Sequence, residues 1–268
     1  MTQRIDKTFA RLKAANQSGF VAYIMGGDPS HDASLELMKA LPDAGVDIIE
    51  LGMPFTDPAA DGPVIELAGL RALKSGTTVR SVLDMAVEFR KDNADTPIIL
   101  MGYANPVHHM GYAEFAAAAK DAGVDGAIIV DLPPEEDAEL RCAFERHDLA
   151  LIRLATPTTD DARLPKVVAG TKGFVYYVSV AGITGAAKGE NTAISDAVNR
   201  IRTASGLPVV VGFGVKTPEQ ATEVAASADA VVVGSAIVDK LHKDGKDAAL
   251  ELVRNLSVAA HGNGDNNA

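Results

Sequence analysis

Eight short apolar runs, rich in valine and isoleucine, punctuate this chain at near-regular intervals. They are "FVAYI" (20–24), "DIIEL" (47–51), "PIILM" (97–101), "GAIIV" (126–130), "LALIRL" (149–154), "FVYYVS" (174–179), "LPVVVG" (207–212) and "DAVVVG" (229–234). Each is continuous rather than alternating, the pattern of a parallel strand buried on both faces. Amphipathic segments such as "SLELMKALPDAG" and "YAEFAAAAKDAG" fill the intervals. Eight strands alternating with helices in about 250 residues predict a closed α/β fold, the (β/α)8 TIM barrel, with an open doubly wound sheet as the rival.

Two segments exceed that plan. Residues 2–17 put Ile5, Phe9 and Leu12 on one helical face, predicting an extra N-terminal helix that plugs the barrel floor. The interval between the second and third runs has room for two helices, an extra helix broken at "GTT" with Thr78 as N-cap. "AGVD" occurs at 44–47 and 122–125, each time between a helix and a strand, with Gly45 and Gly123 suited to a left-handed helix end. One domain is expected over 1–258, followed by a polar, disordered tail over 259–268.

At 268 residues and 47% hydrophobic, the chain supports a large core. A net charge of −11 speaks against nucleic acid or an anionic membrane as partner. Cys142 is the only cysteine, which excludes an intrachain disulfide. With no apolar signal core or membrane-length run, a cytoplasmic location is expected.

Chemistry in such a barrel sits where strands end. Glu50 falls near the end of the second strand among apolar residues, where desolvation raises a carboxyl pKa. Asp61 follows in "IELGMPFTDPAADGPVIE", on a loop braced by Pro54, Pro58 and Pro63. There it is expected to be wetter and to stay ionised more readily. Two acids in unlike surroundings can do unlike work; alternatively, Glu50 pairs with a base and Asp61 caps a helix. After the sixth run comes a small-residue loop, "SVAGITGAAKGEN" (179–191), able to fold over a ligand or simply to connect. "VVVGFGV" (209–215) and "VVVGSAIV" (231–238) run straight into glycine. The loops after strands seven and eight are the usual phosphate site of such barrels, shared with flavin-binding ones.

No lysine lies in any of the eight runs, which argues against a Schiff-base aldolase. Of the six histidines, only the adjacent His108 and His109 lie near a strand end, and neighbours in sequence rarely ligate one metal. No metal is expected.

Taken in order, "GGDP" (26–29), "ELGMPFTDPAADGP" (50–63), "MGYANP" (101–106), "DLPPEE" (131–136), "YYVSVAGITG" (176–185), "GFGV" (212–215) and "GSAIV" (234–238) resemble the tryptophan synthase alpha subunit family. The similarity runs from residue 5 to about residue 258. It implies a lyase of tryptophan biosynthesis that cleaves indole-3-glycerol phosphate to indole and glyceraldehyde 3-phosphate without cofactor. By that resemblance Glu50 is the acid–base residue, Asp61 holds the indole N–H, and Tyr176 supports the reacting hydroxyl. Tyr23, Met101 and Phe213 line the indole pocket. Thr184 closes over Asp61, and Gly185, Gly214, Gly234 and Ser235 cradle the phosphate. A beta subunit carrying pyridoxal phosphate is the implied partner, in an alpha2beta2 heterotetramer, with Pro54 and Asp57 at the contact and indole passed between subunits.

Some positions depart from the family pattern. Tyr23 often corresponds to phenylalanine, so its hydroxyl must be accommodated or turned to solvent. Ala59 is smaller than the usual residue, Val180 and Ala181 stand where polar residues are frequent, and Ala104 stands where an aromatic is common. Two readings of other classes remain open at this point: an idle barrel that only regulates a partner, and a flavin-dependent oxidoreductase.

Overall fold

The computed structural model describes residues 3–179, 188–212 and 214–262. Its strands are β1 (Gly19–Met25), β2 (Ile48–Gly52), β3 (Ile98–Gly102), β4 (Gly126–Ile129), β5 (Ala150–Leu151), β6 (Arg153–Ala155), β7 (Val175–Val178), β8 (Val209–Gly212) and β9 (Ala230–Val233). All pairings are parallel, in the order β5-β4-β3-β2-β1-β9-β8-β7-β6. The fifth apolar run is thus two short strands rather than one. β5 pairs with β4 and β6 pairs with β7. Ile152 between them donates its N–H to the Ala127 carbonyl at 3.0 Å. One stretch of chain therefore hands its ladder from one neighbour to the other, and this closes the sheet into a barrel.

Alternation then sorts the side chains. Val21, Ile48, Ile99, Ile128, Ile152, Phe174, Val210 and Val232 point inward and form one buried cluster with Ile5, Phe9 and Leu12 of helix α1 (Gln3–Ala14). The Phe9 ring meets Phe174 edge-on at 5.9 Å. The N-terminal helix is the predicted plug. Residues one step along each strand, such as Ile49, Leu51, Leu100 and Val211, face the outer helices and form the larger core.

Those outer helices are α2 (His31–Ala40), α3 (Pro63–Lys74), α4 (Val79–Arg90), α5 (Ala104–Met110), α6 (Tyr112–Asp121), α7 (Ala138–Arg146), α8 (Leu164–Val168), α9 (Lys188–Ser205), α10 (Pro218–Ala225), α11 (Ser235–Asp244) and α12 (Lys246–His261). Two helices do lie between β2 and β3. Thr78 caps the second, accepting from the Ser81 N–H, while the Ser81 side chain closes the reciprocal bond. Two further breaks escape sequence reading: α5 separates from α6 at Gly111, and α11 from α12 at Gly245, both at positive φ. Helix α12 continues through Ala259 to His261, so residues 259–261 are helix and not the start of a polar tail; 263–268 lie outside the described residues.

The "AGVD" repeat acquires a physical meaning at the barrel floor. Gly45 and Gly123 are left-handed, with φ of 93° and 77°. Asp47, at the foot of β2, accepts the Phe20 N–H at 2.8 Å and donates its own N–H to the Phe20 carbonyl at 2.9 Å. Asp125, at the foot of β4, does the same with Ile98, at 2.9 Å and 2.9 Å. A third copy without the glycine is Asp229, below β9, paired with Val209 at 2.7 Å and 3.0 Å. Each carboxylate also holds arginine: Arg11 on Asp47, Arg4 and Arg90 on Asp125, Arg202 on Asp229. Arg4 and Arg11 both belong to α1, so the plug is fastened by charge as well as by apolar packing. His261 adds Nε2 to Asp47 at 2.7 Å, pinning the last helix to the same floor.

Arg90 and Asp125 are both largely buried, so removing one strands the other in a poorly solvated site. Asp125→Ala should therefore lower unfolding free energy by about 3 kcal/mol or more, read as a fall in the urea midpoint. A loss under about 0.5 kcal/mol, the size of an exposed pair, would contradict this description of the floor.

Candidate active site

At the opposite end of the barrel the interior positions change character. Register places Tyr23 of β1 and Ile99 of β3 on either side of Glu50. All three residues are buried, Glu50 with only 2% of its surface exposed. Neither carboxyl oxygen of Glu50 has a hydrogen-bond partner among the described residues. The alternative in which Glu50 pairs with a base is thereby set aside. An unpaired carboxylate here costs several kcal/mol in lost hydration, and the group responds by keeping its proton. Burial alone pushes its pKa from 4.5 to about 8.

Glycines open the space around it. A Cβ on Gly52, the next inward position above Glu50, would lie 2.3 Å from the Tyr23 hydroxyl. A Cβ on Gly212 would lie 2.2 Å from the Tyr176 hydroxyl. Each tyrosine thus leans across to the next strand and fills the slot of a missing side chain. Both phenols are buried, and burial holds both pKa values well above the ordinary range, with the Glu50 charge adding to the rise. The extra hydroxyl of Tyr23 is turned into the mouth, not to solvent.

Asp61 approaches from the loop after β2. The helix that follows is capped by Gly62 without any side-chain bond, so Asp61 is not a helix cap. Tyr103, at the end of β3, holds this loop in two places. Its ring packs on Phe55 at 5.6 Å, and its hydroxyl accepts the Ala60 N–H at 3.1 Å while donating to the Asp61 carboxylate. Asp61 is half-buried, and burial is the largest influence on it, pushing its pKa up; the Tyr103 donor opposes this and Glu66 adds to the rise. The net direction is upward, so the loop is less wet than expected and the ionised form leans on that hydroxyl. Sequence reading missed Tyr103. Its signal was the aromatic in "MGYANP", one step past a strand end.

Helix α3, just beyond Asp61, is fixed by Arg71, which makes two bonds of 2.7 and 2.8 Å to buried Asp28. Met101 is half-buried at the mouth and packs against the Tyr23 cluster. Gly234 precedes α11, with Ser235 its first residue, and Gly214 has a left-handed φ of 84°. The first N–H groups of α11 are free of intrahelical acceptors, as at any helix start. Pro54 is buried and Asp57 exposed; Ala59 is also exposed, and the Ala104 N–H donates to Asp131 at 2.7 Å. Thr184, Gly185 and Phe213, with Val180 and Ala181, lie outside the described residues. His108 and His109 are exposed on α5. No group of three or more metal-binding side chains occurs among the described residues. No helix there is long and apolar enough to cross a membrane. An open cleft of about 820 Å³ lies at the floor instead, lined by Arg4, Arg11 and Asp125. Those three charges are already committed to ion pairs.

A raised carboxyl pKa has a direct consequence for stability. Between pH 4.5 and about 8 the unfolded chain has lost the Glu50 proton and the folded chain retains it, so stability must fall as pH rises. Below that window the group contributes no difference. The parent should thus lose stability relative to Glu50→Gln as pH climbs through this window, seen as diverging urea midpoints. Parallel midpoints from pH 4 to 9 would mean that Glu50 ionises normally.

Comparison with known proteins agrees with this geometry. The family model described as tryptophan synthase alpha chain matches residues 9–264. The tryptophan synthase alpha chain of Caulobacter sp. (strain K31) is 58% identical over 254 residues, 95% of this chain and 90% of that one. That of Caulobacter vibrioides (strain NA1000 / CB15N) is 56% identical over the same shares. Among solved structures, tryptophan synthase subunit alpha from Legionella pneumophila str. Paris superposes with a TM-score of 0.89 at 40% identity, covering 96% of this chain and 98% of that one. Mycobacterium tuberculosis tryptophan synthase gives 0.88 at 37%, over 96% and 98%. With a barrel closed through Ile152, a dry acid on β2 and a second acid on the loop above it, the chain belongs to the tryptophan synthase alpha chain family.

Proposed function

We propose that Glu50, Asp61 and Tyr176 carry out the family's lyase reaction in this chain, the cleavage of indole-3-glycerol phosphate to indole and glyceraldehyde 3-phosphate. The observation that carries the assignment is the buried Glu50 carboxyl with no partner for either oxygen. A carboxyl held protonated near neutrality is suited to give a proton and take one back.

The steps follow from the charges. Protonated Glu50 gives its proton to the ring carbon that bears the glycerol chain, and positive charge develops at the ring nitrogen. Ionised Asp61 accepts the ring N–H and stabilises that charge. Glu50, now a carboxylate in a dry pocket, takes the proton of the adjacent hydroxyl. The carbon–carbon bond breaks, its electron pair returns to the ring, and the hydroxyl carbon becomes the aldehyde of glyceraldehyde 3-phosphate. Tyr176 stands beside Glu50's level of the barrel and supports the hydroxyl region. By the family resemblance, Tyr23, Met101 and Phe213 are assigned to the indole, Thr184 to Asp61, and Gly185, Gly214, Gly234, Ser235 and the start of α11 to the phosphate. No cofactor enters these steps. A beta subunit in an alpha2beta2 assembly uses the indole, with pyridoxal phosphate on its side, and the loop bearing Pro54 and Asp57 meets it. Both proteins act in the cytoplasm.

Glu50→Gln should reduce turnover by about a thousand-fold or more while substrate affinity changes little. Asp61→Asn should lose roughly a hundred-fold or more, because a neutral amide cannot offset the ring charge. In the parent, kcat should fall as pH rises past about 8, where Glu50 loses its proton. Steady-state rates of glyceraldehyde 3-phosphate release check all three. Near-parent turnover in either variant would overturn that residue's role.

A further inference from the structure

The Tyr23 hydroxyl is a second unexplained polar group in the mouth. Its residue is 7% exposed, and the hydroxyl faces the Met25 sulfur at 3.9 Å, a weak acceptor at long range. Its position is bracketed. Below and to the side lies Gly52, the last residue before the loop that carries Asp61. Tyr23 also belongs to a small apolar cluster with Met25, Ala68 and Ala72, against which Val64 and Ile65 pack. Those two residues are the second and third of α3, in the turn that follows Asp61. The phenol therefore sits under the Asp61 loop, between the points where that loop leaves the barrel and returns to it.

We propose that Tyr23 is a positioning residue for Asp61, its O–H donating to the Asp61 carboxylate alongside that of Tyr103 when a ligand's ring fills the mouth. The inference rests on the reading of Asp61 as the ionised partner of the ring N–H. A ring in the mouth removes water from both groups, and a buried hydroxyl left with only a distant thioether sulfur is poorly satisfied. Donation to a carboxylate satisfies the hydroxyl and stabilises the charge that the reaction needs. The titratable groups around the pair are of one kind: Glu50 from β2, Glu66 from α3, Tyr103 beyond β3 and Tyr176 from β7. Each is an acid or a phenol, so hydroxyl donors are the means of keeping Asp61 ionised. The Asp61 charge is also the largest electrostatic influence on the Tyr23 phenol, ahead of Glu50.

The test is the pH dependence of kcat for the full chain with its beta subunit, comparing parent, Tyr23→Phe, Tyr103→Phe and the double variant. The acid limb reports ionisation of Asp61 together with the substrate phosphate, and the phosphate contribution is common to all four. Losing the Tyr23 donor should move the acid limb up by about one pH unit, and the double variant should move it further. A purely structural role for Tyr23 would instead lower kcat by the same factor at every pH with the limb in place, and that result overturns the inference. Urea midpoints confirm that each variant is folded. If Asp61→Asn keeps near-parent turnover, the underlying reading of Asp61 fails; if it is crippled while the Tyr23→Phe limb stays put, the inference alone fails.

Discussion

Taking one carboxyl out of water without giving it a partner is the constraint on which the rest of this molecule turns. Glu50 is as buried as the isoleucines around it. Such a site exists because the sheet closes on itself through Ile152 and because the apolar face of α1 packs into the far end. Burial of this kind works against stability, and the core must offset it. Dozens of fully buried Ile, Val, Leu and Phe side chains, each contributing about 1.5–3 kcal/mol, give the fold room to carry one costly group.

The two ends of the barrel treat the same chemistry in opposite ways. At the floor, Asp47, Asp125 and Asp229 each take a backbone N–H and one or more basic side chains. For Asp47, burial pushes the pKa up, but His261, the Phe20 N–H and Arg11 outweigh it, and the result lies below the usual carboxylate range. At the mouth, Glu50 has neither an amide nor a cation as partner among the described residues, and its pKa moves the other way. Carboxylates that fasten strands are paired; the one proposed to move a proton has no partner among the described residues. Asp61 lies between these extremes, half-buried and steadied by the Tyr103 hydroxyl.

Much of this was legible in the chain itself. Continuous Val and Ile runs announce buried parallel strands, because such strands have no polar face to alternate with, and all eight found their places. Thr78 and the left-handed Gly45 and Gly123 were readable because capping and positive φ are local needs. Glu50 stood out since an acid inside an apolar run needs either a basic partner or a chemical task, though the run itself could not say which. What stayed hidden depends on distant neighbours. The break at Ile152 follows from which strand each half pairs with, and nothing within "LALIRL" records that. The left-handed turns at Gly111 and Gly245 that split helices look like ordinary loop glycines. Tyr103's grip on the Asp61 loop joins residues 43 positions apart. Asp229 escaped the repeat because its helix ends without glycine.

The central claim is that Glu50 keeps its proton at neutral pH because it is dry and unpaired. Carbon-13 NMR of the full chain labelled at glutamate side-chain carboxyls measures this directly, with Glu50→Gln used to assign the resonance. One carboxyl should titrate near pH 8 and vanish from the spectrum of the variant. A Glu50 resonance titrating near the ordinary 4.5 would contradict the account.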